Sequence, residues 1–162
     1  MRTEFKAPWA VVLWVITIFS TIVIFALPLT VFRNLSGQVL GILVPIFLGL
    51  WTISCLLTIR GYRVARNTLY IRRLAWETKV DIADFEDAEV LPPGTIGAQV
   101  RLFGNGGLFS FSGWYWSKKL GRYRMWVTDP KLQLVLNCRS RKIVVSPDAP
   151  EEFIRAVRHH TR

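Results

Sequence analysis

APWAVVLWVITIFSTIVIFALPLTVFRNLSGQVLGILVPIFLGLWTISCLLTI, residues 7–59, carries a single charge, Arg33. It divides the stretch into runs 7–32 and 34–59, each of 26 uncharged residues. As a helix, such a run measures about 39 Å, against a hydrocarbon core of roughly 30 Å. In lipid each peptide group must bond within its own segment, so runs this apolar are expected to be helical. The expectation is a transmembrane hairpin over 1–60, with spans at about 9–32 and 38–59, followed by a soluble domain at 61–162. Neither run contains Asp, Glu, Lys, Arg or His, so an anchor is expected rather than an ion or proton path. Pro28 marks a kink or exit near the end of the first span. The link 33–38 is short enough to make the spans antiparallel neighbours, and its Asn34-Leu35-Ser36 sequon is read as chance. Gly37-xxx-Gly41 allows close helix approach, although glycine is common in membrane helices in any case. The first run is too long for the core of a cleaved signal peptide and lacks a clear small-x-small site.

Charge is distributed unevenly. Residues 60–162 hold 18 of the 21 Lys and Arg and 10 of the 11 Asp and Glu, a net of +8. Arg60, Arg63, Arg66, Arg72 and Arg73 follow the second run, Arg2 and Lys6 precede the first, and Arg33 alone lies between. The positive-inside rule then places both termini in the cytoplasm, with Trp9 at the interface. A basic domain on a tether has anionic lipid as its first expected partner and nucleic acid as the other standard one. Cys55 and Cys138 lie in environments too different for a disulfide framework or metal site.

After Arg60 the pattern changes to period two, the mark of half-buried strands. Strands are expected around Tyr62–Val64 and Leu69–Ile71, with a turn at Ala65-Arg66-Asn67. Further strands fall at 78–82, at 88–91 before the Pro92-Pro93-Gly94 break, and at 108–116, 122–128, 132–138 and 142–145. Gly104, Gly106 and Gly107 read as a turn region. Tyr123, Met125 and Val127 share one face, and so do Leu132, Leu134, Leu136 and Cys138. Asp148-Ala149-Pro150-Glu151 reads as a helix start with Asp148 as the cap. Phe153, Ile154 and Val157 then lie on one helical face.

The order is about seven strands followed by a helix. The stretch 104–130, with Gly106-Gly107-Leu108-Phe109, Leu120-Gly121-Arg122-Tyr123 and Val127-Thr128-Asp129, resembles the bacterial PH-domain family. The ending 143–153, with Ser146-Pro147 and Pro150-Glu151-Glu152-Phe153, is similar to that family's last strand and helix. Ser110 departs from the pattern where a glycine-like position is expected. The resemblance covers roughly 61–160. It implies an α+β membrane protein with a PH-like β-barrel and C-terminal helix, sited at a bacterial cytoplasmic (inner) membrane. It implies no particular ligand, cofactor or catalytic residue.

The residues support few chemistries. Gly104-Asn105-Gly106-Gly107 lacks the Lys-Ser/Thr and the helix that cradle a nucleotide. His159 and His160 have no partner at metal-ligand spacing. Asp81, Asp84, Glu86, Asp87 and Glu89 read as a solvated or partner-facing acidic patch. No nucleophile with an adjacent base can be assembled, so an enzyme is not expected. Two basic groups remain. The first is Arg60, Arg63, Arg66, Arg72 and Arg73, which either fix topology or also pin the domain to headgroups. The second joins Trp114, Tyr115 and Trp116 to Lys118, Lys119, Arg122 and Arg124. Trp114 and Trp116 suit an interface, though alternation buries half of such rings. Lipid headgroup binding and protein binding, including homo-oligomer formation as a scaffold with lipid incidental, both stand. Single-stranded nucleic acid ranks below them.

Overall fold

Residues 2–31 and 37–161 are described by a computed structural model, without the side chains of 27–31. Arg33 and the sequon at 34–36 lie outside the described residues. The two apolar runs are helical, as their composition requires: α1 at Val11–Val31 and α2 at Gly37–Leu56. The α1 backbone stays helical past Pro28. α2 is long and apolar enough to cross a membrane, whereas the apolar part described for α1, Val11–Ala26, is shorter. α2 buries none of its residues, and its Thr52 and Ser54 hydroxyls donate back to the Leu48 and Leu50 carbonyls. α1 differs, because Leu13 and Thr17 are buried against the remainder of the chain. The helices meet at Trp51, whose indole N–H donates to Thr21 at 3.3 Å and whose ring lies 5.7 Å from Phe25. Around Gly37 and Gly41 there is open space.

The strands form two sheets. The first contains β1 (Glu4–Lys6), β2 (Ile59–Ala65), β3 (Thr68–Arg73) and β4 (Glu77–Asp81), in that order and antiparallel throughout. The second contains β5 (Phe85–Val90), β6 (Gln99–Gly106), β7 (Phe111–Ser117), β8 (Gly121–Val127), β9 (Leu134–Cys138) and β10 (Lys142–Val145). Its order is β5-β9-β10-β8-β7-β6, with β8 and β10 parallel. The chain is therefore α+β, but the expected count of about seven strands is too low. Among the described residues nine follow the helices and a tenth, β1, precedes them. Among the described residues no ladder joins the sheets, so the strands make two stacked layers and not a closed barrel.

The two unexpected strands have separate causes. β1 is only three residues long and its partner is more than fifty residues away, so no local periodicity reveals it. β6 contains Gly104 and Gly106, two of the three glycines expected to be a turn. Gly104 faces Gly113 across the β6–β7 ladder, with φ of +122° and +144°. A Cβ on Gly104 would strike the Ser112 carbonyl, and one on Gly113 the Phe103 carbonyl. These glycines serve close approach inside a strand pair. Arg66 and Asn67, at φ +43° and +57°, do form the expected β2–β3 turn, with the left-handed pair that tight hairpins use.

The main core lies between the sheets and α3 (Pro150–His160), around Tyr62, Trp126 and Phe153. Leu134, Leu136 and Cys138 join it from β9, as alternation predicts. Tyr123, Met125 and Val127 face the other way, under Leu91 and Ile96, so this sheet is apolar on both faces. The expected cap of α3 is corrected. Ala149 is the N-cap and no side chain bonds there. Asp148 instead accepts the Lys6 N–H at 3.1 Å and the Arg2 guanidinium at 2.6 Å, fastening β1 to the domain.

Candidate functional site

The first basic group is dispersed by the hairpin that carries it. β2 leaves α2 at Ile59, so the turn at Arg66 lies about 20 Å away at roughly 3.3 Å per residue. Asn67 there donates to the His160 carbonyl at the end of α3. Arg63 pairs with Glu77 at 2.6 Å and covers the Tyr70 ring at 4.1 Å. Arg72 pairs with Glu4 at 2.8 Å and lies 3.7 Å from Glu77. These four charges stitch β1 to β4 across the outer face of the first sheet. Arg60 is exposed near α2. Arg73 turns inward, donating to Thr78 at 3.0 Å and to the Leu57 carbonyl at 2.5 Å. It thereby caps the last turn of α2, where a cation is favoured.

The second group is also divided. Lys118 and Lys119 form the exposed β7–β8 turn. The other end of β7 meets residues 107–110, which pack against the helices. Phe109 lies 6.3 Å from Trp9 and 5.9 Å from Trp51, and its N–H donates to Thr17 at 3.1 Å. The two lysines are therefore one strand length, about 20 Å, from that contact. Tyr115 is core, Trp116 is exposed and Trp114 is half-buried. Arg122 lies 4.6 Å over Trp114, while Arg124 lies 5.2 Å from Trp114 and 4.8 Å from Trp126. Trp9 packs on Trp14 at 4.8 Å.

Arg73 and Arg124, one from each group, meet in an open cleft of about 570 Å³ between the sheets at the end of α2. Trp114, Phe103 and Leu57 are its apolar lining, while the guanidinium of Arg101 at its edge lies over Gly106 on the opposite face of the sheet. Burial, reinforced by neighbouring Arg124, lowers the Arg73 pKa. Burial, then Arg141, lowers that of Arg124. Arg101 and Phe103 were missed with β6, although Gln99-Val100-Arg101-Leu102 alternates polar and apolar. Leu74 and Trp76, exposed in the β3–β4 turn, were also missed.

Other candidates resolve into structure. Asp84 accepts from the Ser140 hydroxyl at 2.5 Å and its N–H at 3.0 Å, bonds that hold its carboxyl below the usual range. Glu86 pairs with Arg139 and Asp87 with Arg158. No group of His, Cys, Asp or Glu among the described residues is arranged to hold a metal. The buried Cys138 thiol is pushed up to about 11 by burial first, so it is no thiolate at neutral pH. Ser110, the departure from the pattern, is fully buried beside Ser112.

A family model described as Bacterial PH domain matches residues 60–161. No curated protein and no solved structure matches the chain. The match begins at the end of α2 and runs through α3, so it takes in both sheets except β1, and on it the chain belongs to the bacterial PH domain family.

Proposed function

We propose that the chain is a membrane-tethered, non-catalytic PH-like binding module, held at the cytoplasmic face of a bacterial inner membrane and reading anionic lipid headgroups. One observation carries the tether. β1 precedes α1, β2 follows α2, and the two strands are paired. Both flanks of the helical region therefore lie on one side, so any membrane is crossed an even number of times. α2 satisfies the length and apolarity of a span. α1 is the other crossing in this reading, its first turns as far as Thr17 packing on residues 107–110. The basic flanks favour the cytoplasmic side, and Leu74 and Trp76 beside the end of α2 suit the interfacial layer.

Single cysteines at Thr3, Gln38 and Lys118, probed with a membrane-impermeant maleimide in intact and in inverted vesicles, test this. Gln38→Cys is expected to label from outside, and Thr3→Cys and Lys118→Cys only from the cytoplasmic side. Labelling of all three from one side refutes the hairpin. A second reading, an oligomeric scaffold, draws on edge strand β6, where Val100, Leu102 and Phe103 are exposed. Chemical cross-linking that survives dilution in detergent and is lost in Phe103→Lys would favour it.

A further inference from the structure

No charged residue occurs from Leu102 to Ser117, the greater part of the β6–β7 hairpin, although Arg101 and Lys118 flank it. The tip of this hairpin, residues 107–110, docks on both helices. The Phe109 N–H donates to the Thr17 hydroxyl at 3.1 Å, and that hydroxyl donates to the Gly107 carbonyl at 3.4 Å. The Phe109 ring packs on Trp51 of α2 at 5.9 Å. On α1 the tip is therefore level with Thr17, about 9 Å along the helix from Val11. On α2 it is level with Trp51, about 8 Å from Leu56. Beyond that level each described helix continues for about 21 Å, from Thr17 to Val31 and from Trp51 back to Gly37. A hydrocarbon core measures roughly 30 Å. The described helices match that thickness only when the stretch beside the tip is counted.

We propose that residues 107–110 are embedded in the cytoplasmic leaflet, where Leu108 and Phe109 meet the acyl chains of the lipids around the helices. Non-helical backbone is tolerated at that depth only where protein covers it and satisfies its polar groups. Gly107 and Ser110 are buried, and Leu108 and Phe109 half-buried. The Gly107 N–H donates to the Ser110 carbonyl at 3.2 Å and the Leu108 N–H to the Asn105 side chain at 3.1 Å. The Asn105 amide donates back to the Leu108 carbonyl. With the bond from Phe109 to Thr17, three successive N–H groups are satisfied without water. The charges stand at compatible heights. The Arg101 guanidinium lies over Gly106, just behind the tip, and Arg73 donates to the Leu57 carbonyl past the end of α2. Both then fall in the headgroup layer, where a long basic side chain is favoured. The inference rests on the membrane reading above and adds which end of the domain faces the bilayer. Lys118 and Lys119, at the other end of β7, stand in water.

The test uses the full chain in phosphatidylcholine nanodiscs. Leu108→Cys, Lys118→Cys and Ile46→Cys, the last at an exposed position midway along α2, are made singly with Cys55→Ala and Cys138→Ala, and each carries a nitroxide. Power saturation with oxygen, which concentrates among acyl chains, and with a water-soluble nickel chelate reads the depth of each label. Leu108→Cys is expected to favour oxygen, as Ile46→Cys does, and Lys118→Cys to favour nickel. The unsubstituted chain supplies a second readout that no label distorts. Phosphatidylcholine with a doxyl group near the top of its acyl chain should broaden the Leu108 amide resonance and leave that of Gly121, at the far end of the hairpin, sharp. Where label and amide disagree, the amide decides. An oxygen preference at Ile46→Cys with a nickel preference at Leu108→Cys, and no broadening of the Leu108 amide, overturns the insertion and leaves the membrane reading standing. A nickel preference at all three positions overturns the membrane reading, and the insertion with it.

Discussion

Gly61→Ala is the most informative single change in the first sheet. A Cβ at Gly61 would sit 2.5 Å from the Phe5 carbonyl oxygen and 3.6 Å from its carbonyl carbon. Both are backbone, so relief requires β1 to move away from β2. That movement breaks the ladder Glu4↔Arg63, Phe5↔Tyr62, Lys6↔Gly61 and withdraws Phe5, which is 3% exposed. Burying a phenylalanine contributes about 1.5–3 kcal/mol. Its edge-to-face contact with Phe153, at 5.1 Å, adds about 0.5–1.5 kcal/mol. Alanine stiffens the unfolded chain and returns about 0.4–1 kcal/mol. The balance, with the ladder bonds included, is a loss of about 3 kcal/mol for the β1 segment, or somewhat over a hundredfold in its opening equilibrium. Hydrogen exchange on the full chain in micelles reads this directly. The Val64 N–H, bonded to the Thr3 carbonyl at 3.0 Å, and the Ala7 N–H, bonded to Arg60 at 3.2 Å, should lose protection by that factor. Ile143 in the second sheet should keep its own. Gly41→Ala, in open space, is the control. Unchanged protection at Val64 refutes the argument that glycine at 61 admits the first strand.

Three further outcomes are expected. Thr17→Val leaves the Phe109 N–H without its acceptor, and exchange at 107–110 should quicken by the equivalent of about 1–3 kcal/mol; identical exchange would mean the loop is not fastened to α1. Ser140→Ala removes the main bond holding the Asp84 carboxyl down, so its titration, followed by NMR, should move up toward the ordinary value. A depressed folded pKa stabilises above the ordinary carboxylate pKa of about 3.9 and is lost as pH falls through the folded value, so this variant should also unfold at higher pH during acidification. Cys138 has the opposite sign: its raised thiol pKa, about 11, stabilises fully below the unfolded pKa of about 8.5 and is lost as pH rises through 11. Denaturation midpoints should therefore fall between pH 9 and 11, and less steeply in Cys138→Ala; equal slopes would remove Cys138 from that account.

What could be read in the sequence was local. The Arg66-Asn67 turn, the faces of β8 and β9, the span of β10 and the apolar face of α3 depend on neighbours a few residues apart, and each lies where its pattern puts it. What was missed depends on distant partners. β1 is too short to show a period. β6 has glycines because β7 comes close. Asp148 looks like a cap until the chain's first residues reach it. The basic groups failed as groups for the same reason. Adjacency in sequence joined Arg66 to Arg73, but strand direction separates them by the length of a hairpin. Sheet packing, and not spacing, brings Arg73 and Arg124 to one cleft.

The β1–β2 pairing also bears on how the chain assembles. Lys6 and Gly61 are partners across 55 positions. Closing a loop of that length in a flexible chain costs about 3.5 kcal/mol before any constant term, which is comparable to what β1 contributes. Two helices in contact at Trp51, against Thr21 and Phe25, hold the loop ends near one another beforehand. The first strand is therefore expected to add to the sheet most readily once both helices have formed. Its amides are a built-in indicator of helix integrity, so damage deep in α1 or α2 should be visible as fraying at Glu4–Lys6, far from the lesion itself.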